Sequence, residues 1–435
     1  MRDFDKLHNI ASLAKSELMA NGADKALVKA ACSVKNELNV ECGVFTLMRT
    51  VEDDSLSLSA IADGRKGKIA INNFDEKAIS AAAADTMAVA QASEPDSAWV
   101  FAENPGEEKV FCEGVFVSDN EKMFERTKEL LDLITKEHPL LTVNMVTSHN
   151  FTRSVMLGSD GLLYKNEVGY YDFDINFVGK EGEDTSSFCG TNFSVANLDT
   201  PFIEMSNVRQ SLIECEEQIH TKALPESFCG TMLLTPECLT EFAYYLIENY
   251  CSDQSVMENS SPWLTKLGEK LADEKLQLSL CPRSDFAVGA AKYDAEGYLA
   301  ENFDVIKDGV FENFCISDYV ARKKGMKRAG NKSFNFYIKP GETALSDIIS
   351  GIEKGVLVGR FSGGAPSSNG DFSGVAKNSF LIENGKKTKA LREVMINGNL
   401  SKIFANIANI SKETYNDGSV SVPWASFDGI TISGK

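Results

Sequence analysis

Histidine is scarce: four stand in 435 residues, at His8, His138, His149 and His220. A zinc-peptidase helix needs two imidazoles about one turn apart, so that both reach one metal ion. No two of these histidines have that spacing, and each reads as a surface or hydrogen-bonded residue. Paired cysteines are missing too. The ten cysteines form no CxxC, are irregularly spaced, and fall mostly in apolar runs, as buried free thiols do. No apolar run approaches the ~18 residues needed to cross a bilayer. The opening Met1-Arg2-Asp3-Phe4 leads into a charged amphipathic segment without the apolar stretch of a signal peptide. A reducing, cytoplasmic setting without a membrane is therefore expected.

Positive charge is also in deficit. With 44 basic and 63 acidic side chains the formal charge is −19. Such a surface repels phosphate backbones, so direct nucleic-acid binding is not expected. The strongest basic stretch, Arg322-Lys323-Lys324 with Lys327-Arg328, reads as a solvated helix end. There is no P-loop, no dinucleotide fingerprint and no G-x-S-x-G elbow. Ser12-x-x-Lys15 and Ser118-Asp119-Asn120 imitate two penicillin-recognising signatures, but Lys387-Thr388-Lys389 ends in lysine where the third needs glycine.

What the chain does contain is ordered periodicity. Phe4, Leu7, Ala11, Ala14 and Leu18 share one face of a helix over 4–20, stopped by Asn21-Gly22. Alternation over 26–71 predicts an antiparallel meander with turns near Asp53-Asp54 and Asp63-Gly64. Helices are expected at 74–93 (opened by Asn73), from Ser118 onward, and over 202–220. A connector fills 94–116, and strands fill 140–196 with turns at Ser159-Asp160-Gly161 and Lys180-Glu181-Gly182. Past Leu224-Pro225 short strands and glycine turns dominate, with helices at 236–250, 342–353 and 399–408. The fold class is α+β. Two domains are expected: 1–222, with sub-parts 1–113 and 114–222, and a strand-rich 223–435.

The most unusual stretch is Gly359-Arg360-Phe361-Ser362-Gly363-Gly364-Ala365-Pro366-Ser367-Ser368-Asn369-Gly370-Asp371-Phe372-Ser373-Gly374. It follows the strand-like Val356-Leu357-Val358. Its glycines and proline call for special backbone dihedrals and would expose main-chain groups to an extended peptide. A plain hairpin loop with tight turns explains it as well.

Several pieces in this half resemble the TldD/PmbA peptidase family. They are Gly363-Gly364, Gly370-Asp371-Phe372-Ser373 and Ile382-Glu383-Asn384-Gly385, with Asp294-Ala295-Glu296-Gly297, Tyr319-x-Ala321-Arg322, Ile396-Asn397-Gly398-Asn399-Leu400 and the closing Gly429-Ile430-Thr431-Ile432-Ser433-Gly434. Their order is more specific than any single piece. In the family's TldD branch a helix bearing H-E-x-x-x-H and a cysteine near the C-terminus hold zinc. The matching positions here read Thr235-Pro236-Glu237-Cys238-Leu239-Thr240 and Asp417-Gly418-Ser419-Val420. The resemblance is therefore to the metal-free PmbA (TldE) branch, the family also labelled a modulator of DNA gyrase.

That resemblance implies a subunit without catalytic or metal-ligating residues of its own. Zinc is expected only in a TldD-like partner, and the joint substrates would be unfolded or leader peptides. It implies a homo- or heterodimer, with Gly363, Gly364, Asp371 and Phe372 near a peptide groove. One departure stands out: Ala408-Asn409-Ile410 lacks the glycine and acid that the family often has after the I-x-G-N-L segment. Two other readings are a stand-alone homodimeric peptide-binding protein and an independent hydrolase using a cysteine such as Cys229 or Cys238, or clustered acids.

Overall fold

The computed structural model describes residues 2–330 and 334–434. Two sheets organise them, and no strand is shared between the two. The first has eight strands, in the order Arg65–Ile71, Val44–Ala62, Lys25–Glu41, Leu141–Gly158, Leu163–Glu181, Lys109–Gly114, with Asp184–Thr185 and Cys189–Val195 also paired to Leu163–Glu181. Its four central strands are long, 17 to 19 residues each. That length lets one sheet face carry two separate cores. Near one end Val28, Ala30, Val155 and Leu157 pack under the helices Phe4–Ala20 and Glu76–Ala92. Near the other, Leu38, Val40, Met145 and Phe173 pack under Asn120–Glu137 and Val208–Glu217. The opposite face is largely polar, apart from a cluster of Leu27, Met156 and Tyr164 with Phe101 and Tyr293.

Several expectations are corrected here. Asp53-Asp54 is not a turn. Both residues lie inside Val44–Ala62, opposite Ser33 and Cys32, and the hairpin turns at Cys42-Gly43, where φ is +47° and +78°. Asp53 faces solvent, while Asp54, on the other face, pairs with Arg2 at 2.6 Å. The connector at 94–116 contains a strand, Lys109–Gly114, parallel to Leu163–Glu181. The helix expected from Ser118 is capped by Asp119, whose carboxylate accepts the Lys122 N–H at 2.9 Å. The segment 202–220 is not one helix: a 3-10 turn at Phe202–Glu204 is cut off from Val208–Glu217 near Ser206, at φ +52°.

The second sheet has thirteen strands. Phe228–Leu234 lies between Ser421–Gly434, antiparallel, and Lys354–Val358, parallel. Alternation along it sends Met232 and Leu234 to the large core with Phe242, Val356, Phe361 and Ile432, and Leu233 to the other face with Ile348, Leu357 and Phe380. The helices expected at 342–353 and 399–408 shrink to Leu345–Ser350 and Leu400–Ala405. No helix is long and apolar enough to cross a membrane among the described residues.

Candidate functional site in the cleft between the two sheets

The sheets meet through polar contacts. The Ser194 N–H donates to the Asp417 carbonyl at 2.7 Å. Gln218 Nε2 donates to the Ser379 carbonyl at 2.8 Å, and Asn378 Nδ2 to the Phe188 carbonyl at 3.1 Å. Between these contacts lies a cleft of about 370 Å³. The first sheet lends it Asp174, Asn176 and the Cys189–Asn192 stretch. Val208–Glu217 and its flanks lend Asn207, Ser211 and Glu214, and the second sheet lends Thr235, Glu237, Gly359, Arg360 and Asn378.

The turn from Leu234 into the helix Pro236–Tyr250 shapes the inner wall. Thr235 is its N-cap: the side-chain oxygen accepts the Cys238 N–H at 3.4 Å, while the hydroxyl donates to the Gly359 carbonyl at 3.3 Å. Proline follows at the first helical position, where its missing N–H costs nothing. Thr240 turns its hydroxyl back to the Pro236 carbonyl at 2.8 Å. Glu237 accepts a hydrogen bond from Asn207 Nδ2. Burial among protein atoms, with Glu214 and Asp417 as like-charged neighbours, pushes its carboxyl up to about 7. Desolvation also raises Asp174, Glu214 and Asp417.

Asp417 pins the loop that follows it, its carboxylate accepting the N–H groups of Ser419 and Val420 at 2.8 Å each. Ser419 itself is exposed. Among the described residues no group of three or more His, Cys, Asp or Glu side chains is placed to hold a metal ion.

The glycine-rich hairpin lies beside this cleft, on the strands Arg360–Ser362 and Asp371–Lys377. Its two ends differ. Gly359 and Arg360 line the cleft, whereas Gly363, Gly364, Asp371 and Phe372 do not. Gly364, at φ +64°, lets the chain pass against the Ser373 carbonyl, where any Cβ would collide. Phe372 is 4% exposed and packs edge-on against Phe242 and Phe361. Asp371 is exposed, held by Asn369 Nδ2 and Asn399 Nδ2 at 2.9 Å each. The cleft residues that sequence reading missed are Asp174, Asn207, Glu214, Arg360 and Asn378. Arg360 alone carried a signal, as the one cation in the glycine-rich stretch.

A two-sheet α+β protein with a polar cleft floored by a strand-to-helix turn is the class that the geometry defines. Residues 229–434 match the PmbA/TldA metallopeptidase C-terminal domain. The zinc metalloprotease TldD homolog of Saccharolobus solfataricus is 30% identical over 227 residues, covering 48% of this chain and 51% of that one. Two solved structures share the fold. A Bacteroides thetaiotaomicron protein provisionally described as a modulator of DNA gyrase superposes with TM-score 0.89 at 23% identity, covering 99% of each chain. TldE from Thermococcus kodakarensis gives 0.83 at 20% identity, covering 98% of this chain and 99% of that one. The C-terminal half of the chain thus carries the PmbA/TldA metallopeptidase domain, on a fold that the whole chain shares with those two structures.

Proposed function

We propose that this chain is a PmbA/TldE-like subunit that has no zinc centre of its own and acts on small or unfolded peptides together with a TldD-like, zinc-bearing partner. One observation carries the reading. At the positions where the TldD branch has histidines, the hydroxyls of Thr235 and Thr240 are committed to backbone groups at 3.3 and 2.8 Å. Zinc is held by thiolate, imidazole or carboxylate. Neutral hydroxyls already engaged with the main chain do not fit it, and the exposed Ser419 offers no thiolate in place of the branch's cysteine.

Association is supported by the first sheet's free edge. Arg65–Ile71 covers only Leu56–Ala62, so the outer side of Val44–Ser55 has no strand partner among the described residues. Val44, Leu47, Met48 and Val51 on it are 40–62% exposed. Long apolar edges of this kind invite pairing with another chain. The same edge supports the second reading, a homodimer that binds peptides without cleaving them. In either case the glycine-rich hairpin, with Gly363, Gly364, Asp371 and the anchoring Phe372, borders the peptide path. All ten thiols are free, in keeping with a reducing cytoplasm.

Co-expression with an H-E-x-x-x-H relative from the same genome tests the reading. A stable complex that cleaves unfolded peptides, and loses cleavage with chelator, is the expected result. A chain that purifies only as a homodimer, with cleavage by the relative unchanged by its addition, would contradict it.

A further inference from the structure

The cleft holds polar groups that the protein itself leaves unanswered. Arg360 makes one side-chain hydrogen bond, Nη2 to Ser187 Oγ at 3.2 Å, and its Nε is buried without a partner. It forms no ion pair among the described residues, although its charge favours the ionised form of the nearby Glu241. Asn378 lines the same cleft, but its amide N–H goes to the Phe188 carbonyl and its Oδ1 is closed to solvent. The two are neighbours: Arg360 pairs with Lys377 across the hairpin, and Asn378 is the next residue. Lys377 does not compete for a ligand here, since its ammonium meets Glu393 at 3.1 Å. A guanidinium fork with one hydrogen bond of its own asks for a carboxylate.

A simple anion is a poor occupant, because the chain carries a net charge of −19 and Asp174, Glu214 and Glu237 share this cleft, Asp174 and Glu237 without an ion-pair partner among the described residues. The carboxylate must arrive with a cation. The volume of about 370 Å³ suits a small ligand or a peptide end.

We infer that this cleft takes the C-terminal end of a peptide whose last residue is basic. Arg360 holds the α-carboxylate, and Asp174 and Glu237 receive the cationic side chain. This deepens the peptide-handling half of the proposed function and is independent of which chain supplies zinc.

The test is calorimetric titration of the purified full chain, alone, with tripeptides ending in lysine as the free acid, lysine as the amide, or glutamate, and with free lysine. The free-acid lysine peptide should bind, and the amide and the glutamate peptide should each bind at least about tenfold more weakly. Arg360→Met should remove the distinction between acid and amide, with Arg360→Lys restoring part of it, while far-ultraviolet circular dichroism stays that of the wild type. Equal binding of acid and amide by the wild type, or no binding of any peptide, overturns the inference even if the variants fail to fold. Free lysine binding as tightly as the tripeptide would assign the cleft to an amino acid and overturn it too. Because no partner is present, failure here leaves the co-expression result standing, and failure of complex formation leaves this titration standing.

Discussion

Thr240 donates its hydroxyl to the carbonyl of Pro236, 2.8 Å away and one turn back along the same helix. Thr240 does not line the cleft, and its one hydroxyl proton is spent on its own helix. With Thr235 capping the same helix, the two threonines fix the helix start and Thr235 ties it to the strand bearing Arg360.

The cap gives the first prediction. Thr235→Ala removes the acceptor for the Cys238 N–H and the bond to Gly359, and should lower stability by about 1 kcal/mol. Urea unfolding followed by circular dichroism measures it. Thr235→Ser, which keeps the oxygen, should stay close to wild type.

Glu237 gives a pH dependence. Its folded carboxyl lies near 7, above its unfolded value, so the folded state holds the proton more tightly. Its contribution is full below about pH 4.3, the unfolded value, and is lost as pH rises through about 7. Glu237→Gln should therefore match the wild type at low pH and gain stability relative to it as pH rises to 8. Parallel stability–pH curves for the two proteins would refute the assignment.

The two glycines of the hairpin should separate sharply. Gly363 and Gly364 both have positive φ, but a Cβ on Gly363 meets open space while one on Gly364 meets the Ser373 carbonyl. Gly363→Ala should cost about 1 kcal/mol from backbone strain alone. Gly364→Ala should cost several times that, read as a much lower urea midpoint or as insoluble protein.

Phe372 and Asp371 should separate by readout. Phe372→Ala empties a buried aromatic cluster and should cost about 3–5 kcal/mol. Asp371→Ala releases two exposed amide contacts and should change stability little. If the hairpin borders the peptide path, Asp371→Ala should instead weaken peptide binding in a titration, and unchanged affinity would remove it from that path.

Much of the architecture was legible in the sequence, and the failures share physical causes. The helices Phe4–Ala20 and Pro236–Tyr250 announce themselves because their apolar residues keep a 3.6-residue period between recognisable stops and starts. The strand Val44–Ala62 was misread because 19 residues is far beyond an ordinary strand, and acids on its unpaired outer edge look like a turn. The helix over 202–220 was overextended because Ser206 adopts a positive φ that serine does not advertise. Beyond Arg360 the cleft was not legible. Asp174, Asn207, Glu237, Arg360 and Asn378 come from five separate stretches, and only the pairing of strands brings them to one wall. Even within the glycine-rich stretch, weight fell on the glycines, whereas Arg360 at its start is the residue that reaches the cleft.

The most direct measurement is the zinc content of the purified chain, determined by elemental analysis after dialysis against trace zinc, alongside its hydrolysis of an unfolded peptide with and without chelator. The expected result is well under one zinc per chain and no chelator-sensitive hydrolysis until a TldD-like partner is added. One tightly held zinc per chain, or chelator-sensitive cleavage by the chain alone, would contradict the central claim.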